Sequence, residues 1–167
     1  MQWSKLRSNI RSFICPQLKD RIDIHCTRYH DAHDDYGEVW ITVDKIKIQG
    51  GGYYHWYKAL SDMVSPDKLN ISHGFHKDFY SPKIETKEVE EIMNKGIHST
   101  NHIIWSLENY LNTPLEESLV SNNPIFKAFA LVDRRLGQRR FDKIKLVEDE
   151  NELVKIFYKL RKDSFVK

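Results

Sequence analysis

Between Tyr29 and Tyr36 the chain carries Tyr29, His30, Asp31, His33, Asp34, Asp35 and Tyr36 within eight residues. Imidazoles and carboxylates packed this densely offer three kinds of chemistry. Neutral His30 and His33, with Asp34, have the donor types of an open zinc site, in which bound water would be activated for hydrolysis. His73 and His76 repeat the same His-x-x-His spacing and would complete that set. Against it, the spacing is short, and a loop does not fix ligand geometry as i, i+4 placement on a helix would. His98 and His102 have that spacing, but HSTNH lacks the glutamate of the zinc-protease signature. The second chemistry is metal-free proton transfer. His25 and Tyr29 can meet Trp40, Thr42 or Asp44 across a hairpin, with His25 as base and Asp44 as its orienting acid. The third is recognition: three aspartates beside aromatic rings suit a basic pocket on a protein partner.

The flanking residues explain how such a loop would be held. Ile22, Ile24 and Cys26 alternate with Asp23, His25 and Thr27; Val39, Ile41 and Val43 alternate with Glu38, Trp40, Thr42 and Asp44. Period-2 patterning predicts an antiparallel hairpin with one face buried and residues 30–36 at its exposed tip. Lys45–Gln49 extends it as a further strand, and Gly50–Gly52 break the pattern. Before the hairpin, Trp3, Leu6, Ile10, Phe13 and Ile14 form a helix stripe stopped by Pro16. After it the spacing predicts helices over 53–64 and 85–95, then one capped by Ser99 or Thr100 with Ile103, Ile104, Leu107, Tyr110 and Leu111 as its core face. Asn123-Pro124 opens another, running through Ile125, Phe129, Val132 and Leu136 to a left-handed Gly137. The last opens near Asp149 and buries Leu153, Ile156, Phe157 and Leu160. Residues 65–83 read as an ordered loop.

The expected fold is therefore α+β: a small antiparallel sheet built on an N-terminal hairpin, packed by about five to six helices. A single domain over residues 1–167 is expected, with the first helix and hairpin in 3–49 and a mostly helical remainder in 53–163. A net charge of +2 provides no case for a nucleic-acid binder. No run reaches the roughly 18 apolar residues of a membrane span, and the N-terminus lacks a signal-peptide core. Cys15 and Cys26 sit among apolar neighbours at no ligand spacing, so reduced thiols and a cytoplasmic location are expected. Arg134, Arg135, Arg139 and Arg140 in DRRLGQRR have the forks for phosphate, but an internal ion-pair network with the acidic run 148–152 is the expected reading.

The segments WSKL (Trp3–Leu6), T-x-Y-H-x-x-H-D-x-x-G-x-x-W-I-T-V-D (Thr27–Asp44), DRRLGQRR (Asp133–Arg140) and LVKIFYKLR (Leu153–Arg161) together resemble an uncharacterised family of small bacterial proteins of nearly this length. The resemblance spans essentially the whole chain, is weakest over 53–122, and carries over no catalytic residue. Small bacterial cytosolic proteins of this sort are similar to immunity proteins, which neutralise polymorphic or contact-dependent growth inhibition toxins of the nuclease class. By that analogy the expectation is a non-enzymatic module with no cofactor. It would dock on a cognate toxin domain through Tyr29, His30, Asp31, His33, Asp34, Asp35 and Tyr36. The competing expectation is a metal-dependent hydrolase or nuclease holding zinc through His30, His33 and Asp34, with His73 and His76.

Overall fold

Five β-branched residues at alternate positions, Ile22, Ile24, Val39, Ile41 and Val43, must share an apolar layer, and a sheet with one covered face provides it. A computed structural model describes residues 2–28, 36–63 and 87–165. Helix α1 (Trp3–Phe13) leads through a 3-10 turn (Pro16–Leu18) into β1 (Ile22–Arg28), β2 (Tyr36–Val43) and β3 (Ile46–Gly51). Helices α2 (Tyr53–Met63), α3 (Lys87–Asn94), α4 (Thr100–Asn112), α5 (Leu115–Leu119), α6 (Pro124–Val132), α7 (Gln138–Phe141) and α8 (Glu152–Asp163) follow. The sheet is an antiparallel meander in the order β1-β2-β3. This is the expected α+β architecture. The two short helices α5 and α7 bring the helix count among the described residues to eight.

The register pairs Ile22 with Val43, Ile24 with Ile41 and His25 with Trp40. All five β-branched residues are buried. They face Leu6 and Ile10 of α1, Ile103 and Leu107 of α4, and, through these, the α6–α8 pair, where the Phe129 and Phe157 rings meet at 5.4 Å. β2 turns into β3 through Asp44 and Lys45, both with positive φ, the turn geometry that matches strand twist. Neither is glycine, so the bend needs fixing from outside. The Asp44 N–H donates to the Arg21 carbonyl at 2.7 Å, and Arg21 grips the Asp44 carboxylate with two bonds of 2.7 and 2.8 Å.

Several elements depart from the sequence expectation. Gly50 and Gly51 do not end the third strand; β3 runs through them. At Gly51 the reason is contact: a Cβ there would stand 2.7 Å from Ile103 Cδ1 and 2.8 Å from the Ser99 carbonyl. Helix α6 stops at Val132 rather than continuing to Leu136. Asp133 turns extended and bridges Ile14, with Cys15 N–H donating to the Val132 carbonyl and Arg134 N–H to that of Phe13. Gly137 therefore sits at φ −74°, before α7, not in a left-handed cap. Helix α8 begins at Glu152, capped by Asn151, and turns Val154 rather than Ile156 fully inward. The capping expectations at Ser99 and Asn123 hold: Ser99 accepts from His102 N–H and Asn123 from Ile125 N–H. Gly96, at φ +80°, stops the chain after α3.

Candidate docking face

The outward side of the hairpin begins at α1. Arg7 and Arg11 both reach Asp23. Burial pushes the Asp23 carboxyl up, but the Arg7 hydrogen bond, the Ile24 N–H and the two guanidinium charges outweigh it and hold the group below the usual carboxylate range. One step along the strand, the His25 and Trp40 rings stack at 5.2 Å and 15°. His25 Nε2 lies 2.9 Å from Thr42 Oγ1. Beyond Trp40, Glu38 pairs with Lys47, and this pair passes over Gly50, where a Cβ would be 2.7 Å from both side chains. A row thus runs from Asp23 through the His25–Trp40 plate to Glu38–Lys47, with every charge in it already partnered.

The register decides the proton-transfer expectation. His25 faces Trp40 and Thr42, whereas Asp44 lies at the far turn in the grip of Arg21. The base–acid pair of His25 with Asp44 does not form. Thr42, expected on a solvated face, is 7% exposed because the imidazole covers it.

At the other end of the hairpin Arg28 pairs with Tyr36 after a register shift between Cys26 and Arg28. Tyr36 is therefore the first residue of β2, not part of the tip. The connection between the paired ends, with Tyr29, His30, Asp31, His33, Asp34 and Asp35, lies outside the described residues, as do His73 and His76. No group of three or more His, Cys, Asp and Glu suited to a metal occurs among the described residues. Cys15 and Cys26 are both reduced thiols, and burial raises the pKa of Cys15.

The arginine motif is structural. Fully buried Asp133 accepts the Tyr110 hydroxyl and two guanidinium bonds from Arg135, whose plane lies over the Phe13 ring at 4.4 Å. Arg140 pairs with Glu116. The expected internal network with the 148–152 run does not form: Arg135–Asp133 is the buried pair, Arg140–Glu116 is exposed, and Glu150 takes Lys127 from α6. Arg161, in the last turn of α8, is 5% exposed and donates to the Leu136 carbonyl at 2.7 Å.

His98 precedes the Ser99 cap and His102 follows it, so the pair straddles the start of α4. Burial pushes both imidazoles down to about 4, and neither Nδ1 has a hydrogen-bond partner among the described residues.

What sequence patterning did not single out is Trp40 as a contact residue. It appeared there only as a cross-strand neighbour of His25. The available signal was a large ring at an outward position of a strand whose inward positions are all β-branched.

Fold and face together define an α+β protein built on a three-stranded meander with a stacked histidine–tryptophan plate on its outer side. The chain belongs to the SF0329 protein family, whose model matches residues 2–162. No curated protein and no solved structure matches it. Among the described residues, no helix is long and apolar enough to cross a membrane.

Proposed function

We propose that this chain is a non-enzymatic protein-binding module: a bacterial immunity protein that acts in the cytoplasm and neutralises a growth-inhibition toxin of the nuclease class by occluding its active site. The observation that carries the reading is the stacked His25–Trp40 plate on the outer side of the β1–β2 hairpin. A partner with a basic cleft for Asp31, Asp34 and Asp35 would find an apolar anchor in the His25–Trp40 plate of the same hairpin. A half-buried tryptophan flanked by satisfied polar groups is the composition of an interface anchor. The three acids would complement a cleft built for phosphates, raising the association rate as well as affinity. Because the acidic row from Asp23 to Glu38 is already neutralised by Arg7, Arg11 and Lys47, the connection would carry the net negative charge that steers docking.

The test is titration calorimetry with the toxin domain encoded beside this chain, comparing the wild type with the Asp31→Ala/Asp34→Ala/Asp35→Ala triple variant. The variant should bind at least tenfold more weakly, mostly through a slower association that depends on salt, while its melting temperature stays within about 2 °C. Equal affinity of the two proteins would remove the acidic connection from the interface.

A further inference from the structure

A second site lies along α4, and no residue of the sheet lines it. The surface of α4 that does not face the core, the segment between α5 and α6, and the start of α8 enclose a cleft of about 790 Å³. Small-molecule sites typically occupy about 300–1,000 Å³. Its walls are tied together by side chains. Asn123 caps α6 through its Oδ1 and donates its Nδ2 to Ser106 Oγ of α4 at 2.9 Å. Asn151 caps α8 and donates its Nδ2 to the Asn94 carbonyl at 3.0 Å. Lys127 of α6 pairs with Glu150, which is 9% exposed at its side chain. The cleft is therefore held open by bonds that consume these polar groups, and a ligand would meet other ones.

Those others have a specific character. The side-chain amides of Asn109 and Asn122 line the cleft and form no hydrogen bond with another described residue. Asp149 adds an exposed carboxylate with no ion pair among the described residues, and Trp105, one turn before Asn109 on α4, supplies a half-buried ring. The one lining cation, Lys127, is neutralised by Glu150, and His102 is held uncharged. Among the described residues, no positive charge is left for a phosphate or a carboxylate. Amides and a carboxylate beside an indole suit a ligand that donates and accepts through adjacent hydroxyls and has a C–H face to lay on the ring.

We propose that this cleft binds a neutral saccharide, with one pyranose ring against Trp105 and its hydroxyls on Asn109, Asn122 and Asp149. The site is separate from the docking face, so the two can fail independently.

The test uses the full chain, ¹⁵N-labelled, titrated with cellobiose, maltose, lactose and chitobiose, and separately with inorganic phosphate. At least one disaccharide should shift the Trp105 indole and Asn109 amide signals with a Kd on the order of 1 mM or tighter. Trp105→Ala should abolish the shifts. Asn109→Ala, at an exposed helix position that leaves the fold intact, should weaken binding severalfold. Absence of shifts with all four sugars at about 10 mM, binding unaltered in Asn109→Ala, or phosphate binding as tightly as any sugar would each overturn the assignment.

Discussion

Asp133 is a carboxylate with no exposed surface, and it survives there because four donors surround it: the Tyr110 hydroxyl, the Arg135 backbone N–H and two guanidinium nitrogens. Proximity to that carboxylate, added to burial, drives the Tyr110 hydroxyl far above its usual range, so it remains a donor at all working pH values. The residue also joins the chain after α1 to the chain after α6. Replacing it strands a buried hydroxyl and removes the partner of a fixed guanidinium. Asp133→Ala should therefore cost about 3–5 kcal/mol, read as a lower urea midpoint with an unchanged slope. A loss under about 1 kcal/mol would mean that Arg135 and Tyr110 find solvent instead.

At the scale of elements, β3 and the start of α4 meet with no room for a side chain at Gly51. Gly51 pairs with His98, and the Thr100 hydroxyl lies 2.6 Å from the Gly37 carbonyl and 3.2 Å from that of Gly51. Gly51→Ala should push α4 off the strand at a cost of about 1–3 kcal/mol, measurable as a lowered melting temperature. The same join contains the two buried histidines, with the Trp56 ring edge-on to His102 at 5.4 Å. Their folded pKa values, about 4, lie below the unfolded value of roughly 6.5, so protons favour the unfolded chain. Stability from this source is fully present above pH 6.5 and is lost as pH falls toward 4, by roughly 1.4 kcal/mol per pH unit for each imidazole. Thermal melts between pH 7 and pH 4 should follow that slope, and His98→Gln/His102→Gln should flatten it. An unchanged slope in the double variant would place the acid sensitivity in other groups.

For the whole molecule, the balance of legible and hidden features follows sequence distance. Strand alternation at 22–26 and 39–43 and the caps at Ser99 and Asn123 are set by neighbours within a few residues, and each was readable. The end of α6 was not, because its stop depends on a bridge from Asp133 to Ile14, more than a hundred positions away in the chain. The same holds for Gly51, whose bareness answers to Ser99 and Ile103, and for the partners of Arg135 and Arg140. At the docking face, the position of Trp40 over His25 follows from register, which the alternation predicts only to within a slip of two. The cleft beside α4 was invisible for a like reason: Trp105, Asn122 and Asp149 come from separate segments, and no local motif links them.

The central claim is that the hairpin is the surface by which this protein grips a partner. Hydrogen exchange of the full chain, free and bound to the toxin domain proposed as its partner, measures that surface directly. Slowed exchange concentrated in residues 22–43, with smaller changes in α6 and α8, is the predicted result. Protection confined to the helices, with the hairpin exchanging as in the free protein, would contradict it.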